Sequence, residues 1–134
     1  MAVREIENAI ADIFSTVTAI AKVYYHPVTE IGRQLPALIV QYNGFEQDLI
    51  SMTKYRPRYR FEISLFLPAE SKTLESAWNS LKDLTKVIME RFRSDPQLRG
   101  TCLWSILELG EPIISATETP HVGHTFRLVA EVIV

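Results

Sequence analysis

The sequence predicts an α+β fold: a mainly antiparallel or mixed sheet with two helices packed on one face. Three observations predict it. Residues 3–20 and 71–93 carry apolar side chains at three- and four-residue steps, the mark of amphipathic helices. Residues 58–67 alternate, with Tyr59, Phe61, Ile63, Leu65 and Leu67 on one side and Arg58, Arg60, Glu62 and Ser64 on the other, as in a strand that hides one face. Helical and strand-like segments do not alternate strictly along the chain, which argues against a doubly wound parallel sheet.

The first helix is drawn by Val3, Ile6, Ile10, Ile13, Phe14, Val17 and Ile20, with Arg4, Glu5, Glu7, Asn8 and Asp12 mostly opposite. A short strand-like piece, KVYYH, follows and Pro27 breaks it. In LPALIVQYNG, Pro36 opens a second strand candidate, and Asn43-Gly44 signals a tight turn after it. The less regular FEQDLISMTKY reads as a hairpin partner or an arm. The alternating strand comes next and stops at Pro68. Its five apolar side chains represent about 7–15 kcal/mol of gross burial, an upper bound. That fixes the register, because a slip of one residue puts arginines in the core.

The second helix presents Leu74, Ala77, Trp78, Leu81, Leu84, Val87, Ile88 and Phe92 along one stripe. Ser71 or Thr73 is placed to cap it, with Glu75 as the capping-box acid. Asp95-Pro96 and Gly100 end it. TCLWSILELG, followed by Glu111-Pro112, and HTFRLVAEVIV are the last two strand candidates. In the latter Phe126, Leu128, Val132 and Val134 fit a helix-covered core, while Val129 and Ile133 add an apolar strip to the other face beside Arg127 and Glu131. Strands apolar on both sides are usually buried on both sides. Two helices cannot cover two faces, so a neighbour is expected to cover the second, most simply another copy.

Composition narrows the function classes. A length of 134 residues favours one domain. With 47% hydrophobic and 22% charged residues, the chain can bury a core without metal or disulfide staples. Fourteen basic against sixteen acidic residues, a net charge of −2, argue against a dedicated nucleic-acid binder. Cys102 is the single cysteine, so no intrachain disulfide is possible, which fits a reducing compartment. The N-terminal MAVREIENAIADIF places acids among its apolar residues and does not read as a signal peptide. No uncharged apolar run approaches the ~18 residues of a membrane span.

Chemical motifs are sparse. HVGH, residues 121–124, holds two histidines three apart, but zinc needs three or four protein ligands. With Pro120 and Gly123 it reads as an exposed loop, and His26 as surface. Cys102 reads as a small apolar filler, with Arg99 a weak hint of thiol activation. No nucleophile elbow and no glycine-rich phosphate loop occur. The basic cluster Lys54, Arg56, Arg58 and Arg60, interleaved with Tyr55 and Tyr59, contains no acid. It suits phosphate contact with stacking, a protein interface, or a solvated face covered by arginine stems.

The order of elements and several short strings then resemble a family: the tail-terminator (tail-completion, minor tail protein U-like) proteins of long-tailed bacteriophages and related prophages. The strings are the N-terminal helix, RYRFEISLFLPA leading into a long helix, DPQLRG closing it, and GEPI before the final TFRLVAEVIV. Together they span most of the chain. The resemblance implies one small α+β domain over residues 1–134 that assembles into a hexameric ring. Such a ring caps the tail tube, halts its polymerisation and offers a surface for head joining. It implies structural activity without turnover, with no catalytic, cofactor-binding or metal residues to carry over. Asp95, Pro96, Leu98 and Gly100 take structural roles as helix stop, turn and apolar plug.

The implied partners are the chain itself, the tail-tube protein and the head–tail connector protein. No membrane and no sequence-specific nucleic acid is implied, although DNA passes through such a ring. The implied place is the neck of the virion tail, after synthesis in the bacterial host cytoplasm. Residues 45–58 would form a hairpin or arm reaching a neighbouring subunit or the tube. In this setting the candidate subunit or tube interface is Lys54, Tyr55, Arg56, Arg58, Arg60, Glu62, Arg127, Val129 and Glu131, whose mixed signs suit a heterologous cyclic contact. Two alternatives stand beside it. One is another neck protein of head-completion or stopper type. The other is a small ligand-binding or enzymatic α+β domain, which needs a concave pocket with convergent polar groups.

Overall fold

The structure, a computed structural model, describes residues 2–28, 35–51, 54–69, 74–115 and 121–132, with backbone alone for 2, 47–51, 54, 55, 74 and 115. It has an α+β fold, with elements in the order α1 (Ala2–Ser15), β1 (Lys22–Tyr24), β2 (Ala37–Ser51), β3 (Lys54–Pro68), α2 (Leu74–Ser94), β4 (Trp104–Ser115) and β5 (His121–Glu131). The strands form one sheet in the order β1-β2-β3-β5-β4. β1 pairs with β2 in parallel and the other pairings are antiparallel, so the sheet is mixed.

Both helices lie on one face and bury the stripes their periodicity announces. Ile6, Ile10, Ile13 and Phe14 of α1 meet Leu38 and Val40 of β2, Phe61, Ile63 and Leu65 of β3, and Phe126, Leu128 and Ala130 of β5. Ile88 and Phe92 bring α2 into the same core. Phe14 is its hinge-pin, with Phe92 and Phe126 edge-on to it at 5.3 and 5.7 Å between ring centroids. Ala77 and Leu81 of α2 close a second cluster with Ala69 and Val122.

Several elements end or continue where periodicity does not say. α1 stops at Ser15, five residues short of the end of its apolar pattern. The Ser15 and Thr16 hydroxyls donate to the carbonyls of Asp12 and Ile13, at 2.6 and 2.7 Å, and β-branched residues follow. Val17 and Ile20 still pack on the core from the chain beyond the helix. Val87, expected in the α2 stripe, is exposed.

Asn43-Gly44 is not a hairpin turn. β2 runs on through it to Ser51, and the register steps from Tyr42↔Phe61 to Phe45↔Tyr59, so one extra residue bulges out of β2. Gly44, at φ +99°, supplies the backbone conformation the bulge needs. Glu111-Pro112 likewise does not end its strand. β4 passes through it with a second bulge between Leu109↔Phe126 and Pro112↔His124. The Thr125 hydroxyl stitches this bulge, accepting the Glu111 N–H at 2.7 Å and donating to the Glu111 carbonyl at 3.2 Å. A Cβ on Gly110 would sit 2.9 Å from the Thr125 carbonyl oxygen, so the close approach needs glycine.

The string DPQLRG forms the turn after α2. The Asp95 carboxylate accepts the Arg99 N–H with both oxygens at 3.2 Å. Leu98, Arg99 and Gly100 all take positive φ, at 46°, 58° and 83°. Non-glycine residues hold that conformation only where the surroundings enforce it. Here the Leu98 side chain is wholly buried in the main core.

Candidate functional site

The face of the sheet away from the helices carries Arg58, Arg60, Glu62, Arg127, Val129 and Glu131, and the strand register orders them in rows. One row is Gln41, Glu62, Arg127 and Glu108 across β2, β3, β5 and β4. The next is Arg60, Val129 and Ile106, opposite the β2 bulge. The third is Glu46, Arg58, Glu131 and Trp104. Lys54, Tyr55 and Arg56 lie further along β3, opposite Ser51, Leu49 and Asp48. The nine candidates therefore fall on adjoining parts of β3 and β5.

Their environments differ. Arg60, Glu62, Arg127 and Ile106 are exposed, and Val129 is half-buried between charged rows. Arg60 is tied to Glu46 by an ion pair of 2.6 Å, in which both side chains are about half exposed. Such a pair is worth little by itself. Glu131 is buried at 4% exposure. Its Oε2 accepts the Trp104 indole N–H at 2.8 Å and its Oε1 accepts the Arg58 Nε–H at 3.3 Å. The Arg58 guanidinium also lies 5.7 Å from the centre of the Trp104 ring. Arg58 and Glu131 thus neutralise each other within the chain, and they reach any partner as a joined pair.

At its other end the same face is closed: Ala37, Phe66 and Gly123 are buried, and the His121 ring stands edge-on to Phe66 at 5.1 Å. The centre and the arginine end are open in the single chain. Beyond the sheet, residues 47–51 pair with 54–57 alone among the described strands, because β1 stops at a partner of Ile39 and β5 at partners of Arg58, and the Pro57 carbonyl, which accepts the Val132 N–H at 3.0 Å, marks where they leave the core. They form a two-stranded ribbon projecting past the helix-covered core, in the segment expected to be a hairpin or arm.

The isolated chemical motifs do not assemble. HVGH is part of β5 and not a loop. Gly123 is buried, and a Cβ there would meet the Leu65 carbonyl oxygen at 2.6 Å. Three residues apart on a strand, His121 and His124 point to opposite faces; the first meets Phe66, the second lies against Phe126 at 5.2 Å. They cannot share a metal. No group of three His, Cys, Asp or Glu suited to a metal occurs among the described residues, and no helix there is long and apolar enough to cross a membrane. Cys102 lies before β4 and joins the core. Burial pushes its thiol up to about 11, with a smaller push from Asp95, so the nucleophilic thiolate is suppressed.

Sequence reasoning missed Trp104, Ile106, Glu108 and Glu46 as members of this surface. The period-two spacing of the first three was readable, but which rows they complete depends on pairing with β5.

No family model matches the sequence, and no curated protein does. Among solved structures, the chain is similar to one in a structure described as the virion of a native gene transfer agent particle. That similarity covers 93% of each chain at 12% identity and a TM-score of 0.41. At that level it does not define a common fold.

Proposed function

We propose that the chain is a virion structural protein of tail-terminator type. In this reading, residues 1–134 form one domain that assembles as a hexameric ring, caps the tail tube, stops its growth and receives the head connector. It does this by contact alone, without turnover and without a cofactor. The observation that carries the reading is the open centre of the second sheet face. There Val129 and Ile106 form an apolar strip between charged rows, next to a ribbon that projects past the core. A surface that mixes apolar area with both signs of charge suits protein contact more than phosphate. The sequence strings that resemble tail terminators supply the particular role.

The test is polymerisation of purified tail-tube protein with this chain added. Elongation halts at a length set by the ratio of the two proteins, and electron microscopy shows a cap on one end. Tubes that keep lengthening in an excess of the chain overturn the terminator role. Capture by the head connector but not by the tube tip assigns the chain to a neighbouring neck position instead.

A further inference from the structure

The outer edge of β4 is an unusual edge strand. It is 12 residues long and has no strand partner on that side among the described residues. It exposes Ile106, Leu109 and Ile114, each by more than half. Proteins usually blunt such edges with lysine, short length or a covering segment, because the unpaired N–H and C=O groups invite another strand. β4 contains no lysine or arginine; its charges are Glu108 and Glu111. Two shallow grooves lie between α2 and the sheet near β4. One, of about 240 Å³, is lined by Met89, Phe92, Arg93 and Leu107 among others. The other, of about 270 Å³, is lined by Trp78, Leu81, Lys82 and Pro112 among others.

The ribbon is the chemical complement of that edge. Arg58 and Arg60 at its base are taken by Glu131 and Glu46, which leaves Lys54 and Arg56 against Asp48 in the ribbon itself, where β4 has acids only. Tyr42 and Phe45 expose aromatic surface at its root. The ribbon is built on β2 and β3, while β4 is the far edge of the sheet beyond β5.

We propose that the β2–β3 ribbon of one copy seats on the outer edge of β4 of a second copy. Lys54 and Arg56 then meet Glu108 and Glu111, and Phe45 covers the apolar edge around Leu109. Two different surfaces are joined, so the contact is heterologous, and its repetition closes a ring or continues as a filament. This rests on the reading of the chain as a self-assembling virion part and names the surfaces through which it does so.

The experiment is sedimentation of the full chain over a range of concentrations, with carbodiimide crosslinking of an equimolar mixture of isotope-labelled and unlabelled copies. The unmodified chain associates more weakly as salt rises, and Lys54 links to Glu108 or Glu111 between copies. Reversing the edge (Glu108→Lys with Glu111→Lys) or the ribbon (Lys54→Glu with Arg56→Glu) weakens association by about tenfold or more, as like charges then face each other. Mixed together, the two reversed proteins regain association as an alternating assembly, because each ribbon then faces an edge of opposite charge, and both reversals in one chain restore association as well. Circular dichroism identical to that of the unmodified chain excludes misfolding as the cause.

An unmodified chain that stays monomeric at its highest soluble concentration overturns the proposal. So does an edge-reversed protein that associates as the unmodified one does. Tube capping by the same proteins separates the two claims. An edge-reversed protein that associates normally and still halts tubes sinks the ribbon contact and leaves the terminator role. Association through Lys54 and Glu108 without any effect on tubes does the opposite.

Discussion

Replacing each partner of the Arg58–Glu131 pair gives unequal losses of stability, and the inequality can be worked from their exposure. The Glu131 side chain is 6% exposed and the Arg58 side chain 35%. Arg58→Met leaves a carboxylate inside the protein with the Trp104 indole N–H as its remaining partner shown in the cluster. Stranding a buried charge costs about 3–5 kcal/mol. Solvent reaching the exposed third of Arg58 screens the pair, so the lower end, about 3 kcal/mol, is expected. Glu131→Gln keeps a carbonyl oxygen for Trp104 and leaves a guanidinium that can hydrate itself; the loss is the charge-assisted part of one hydrogen bond, about 1 kcal/mol. The double variant loses less than the two single losses together, since both remove one interaction. Equilibrium urea unfolding followed by tryptophan fluorescence measures all four proteins. A Glu131→Gln loss equal to or larger than that of Arg58→Met, or strict additivity in the double variant, refutes the reasoning.

Three further outcomes are expected. Gly123→Ala destabilises the fold by about 3 kcal/mol, because its Cβ lands 2.6 Å from a backbone oxygen of β3 and strands must part; thermal unfolding shows it, while an exposed loop at this position would tolerate the change. Leu98→Ala costs about 2–5 kcal/mol, read by urea unfolding, since its side chain is wholly buried beneath the turn after α2. Cys102, with its thiol pushed up to about 11 from an ordinary 9.0, resists alkylation at neutral pH in the folded protein and reacts only as fast as the chain opens; rapid labelling of native protein contradicts this.

Much of the layer architecture was legible in the residues. Alternation in β3 and helical stripes in α1 and α2 are local periods, and a period states which side of an element must be hidden. The elements that differ from the local signal do so for tertiary reasons. Asn43-Gly44 has the chemistry of a turn, yet β3 is long enough to keep pairing with the residues beyond it, so the glycine serves a bulge. The HVGH string has the look of a loop, yet residues 121–124 lie between β3 and β4 and are held there from both sides. The candidate surface shows the same division: a basic cluster around Arg56 to Arg60 is visible in the sequence, but the pairing of Arg58 with Glu131 and of Arg60 with Glu46 is not.

By itself the sequence determined that two helices cover one face of a sheet, that β3 cannot slip, and that the other face mixes apolar and charged groups. Only the tertiary structure decided that Glu131 is buried against Arg58, 73 positions away, that Trp104 completes that cluster, and that β4 rather than β1 forms the long open edge. The physical reason is that periodicity fixes which way a side chain turns within its own element, whereas its neighbours are set by the register between strands far apart in the chain. Registers are chosen by the packing of the whole core, and no short stretch of residues contains that information.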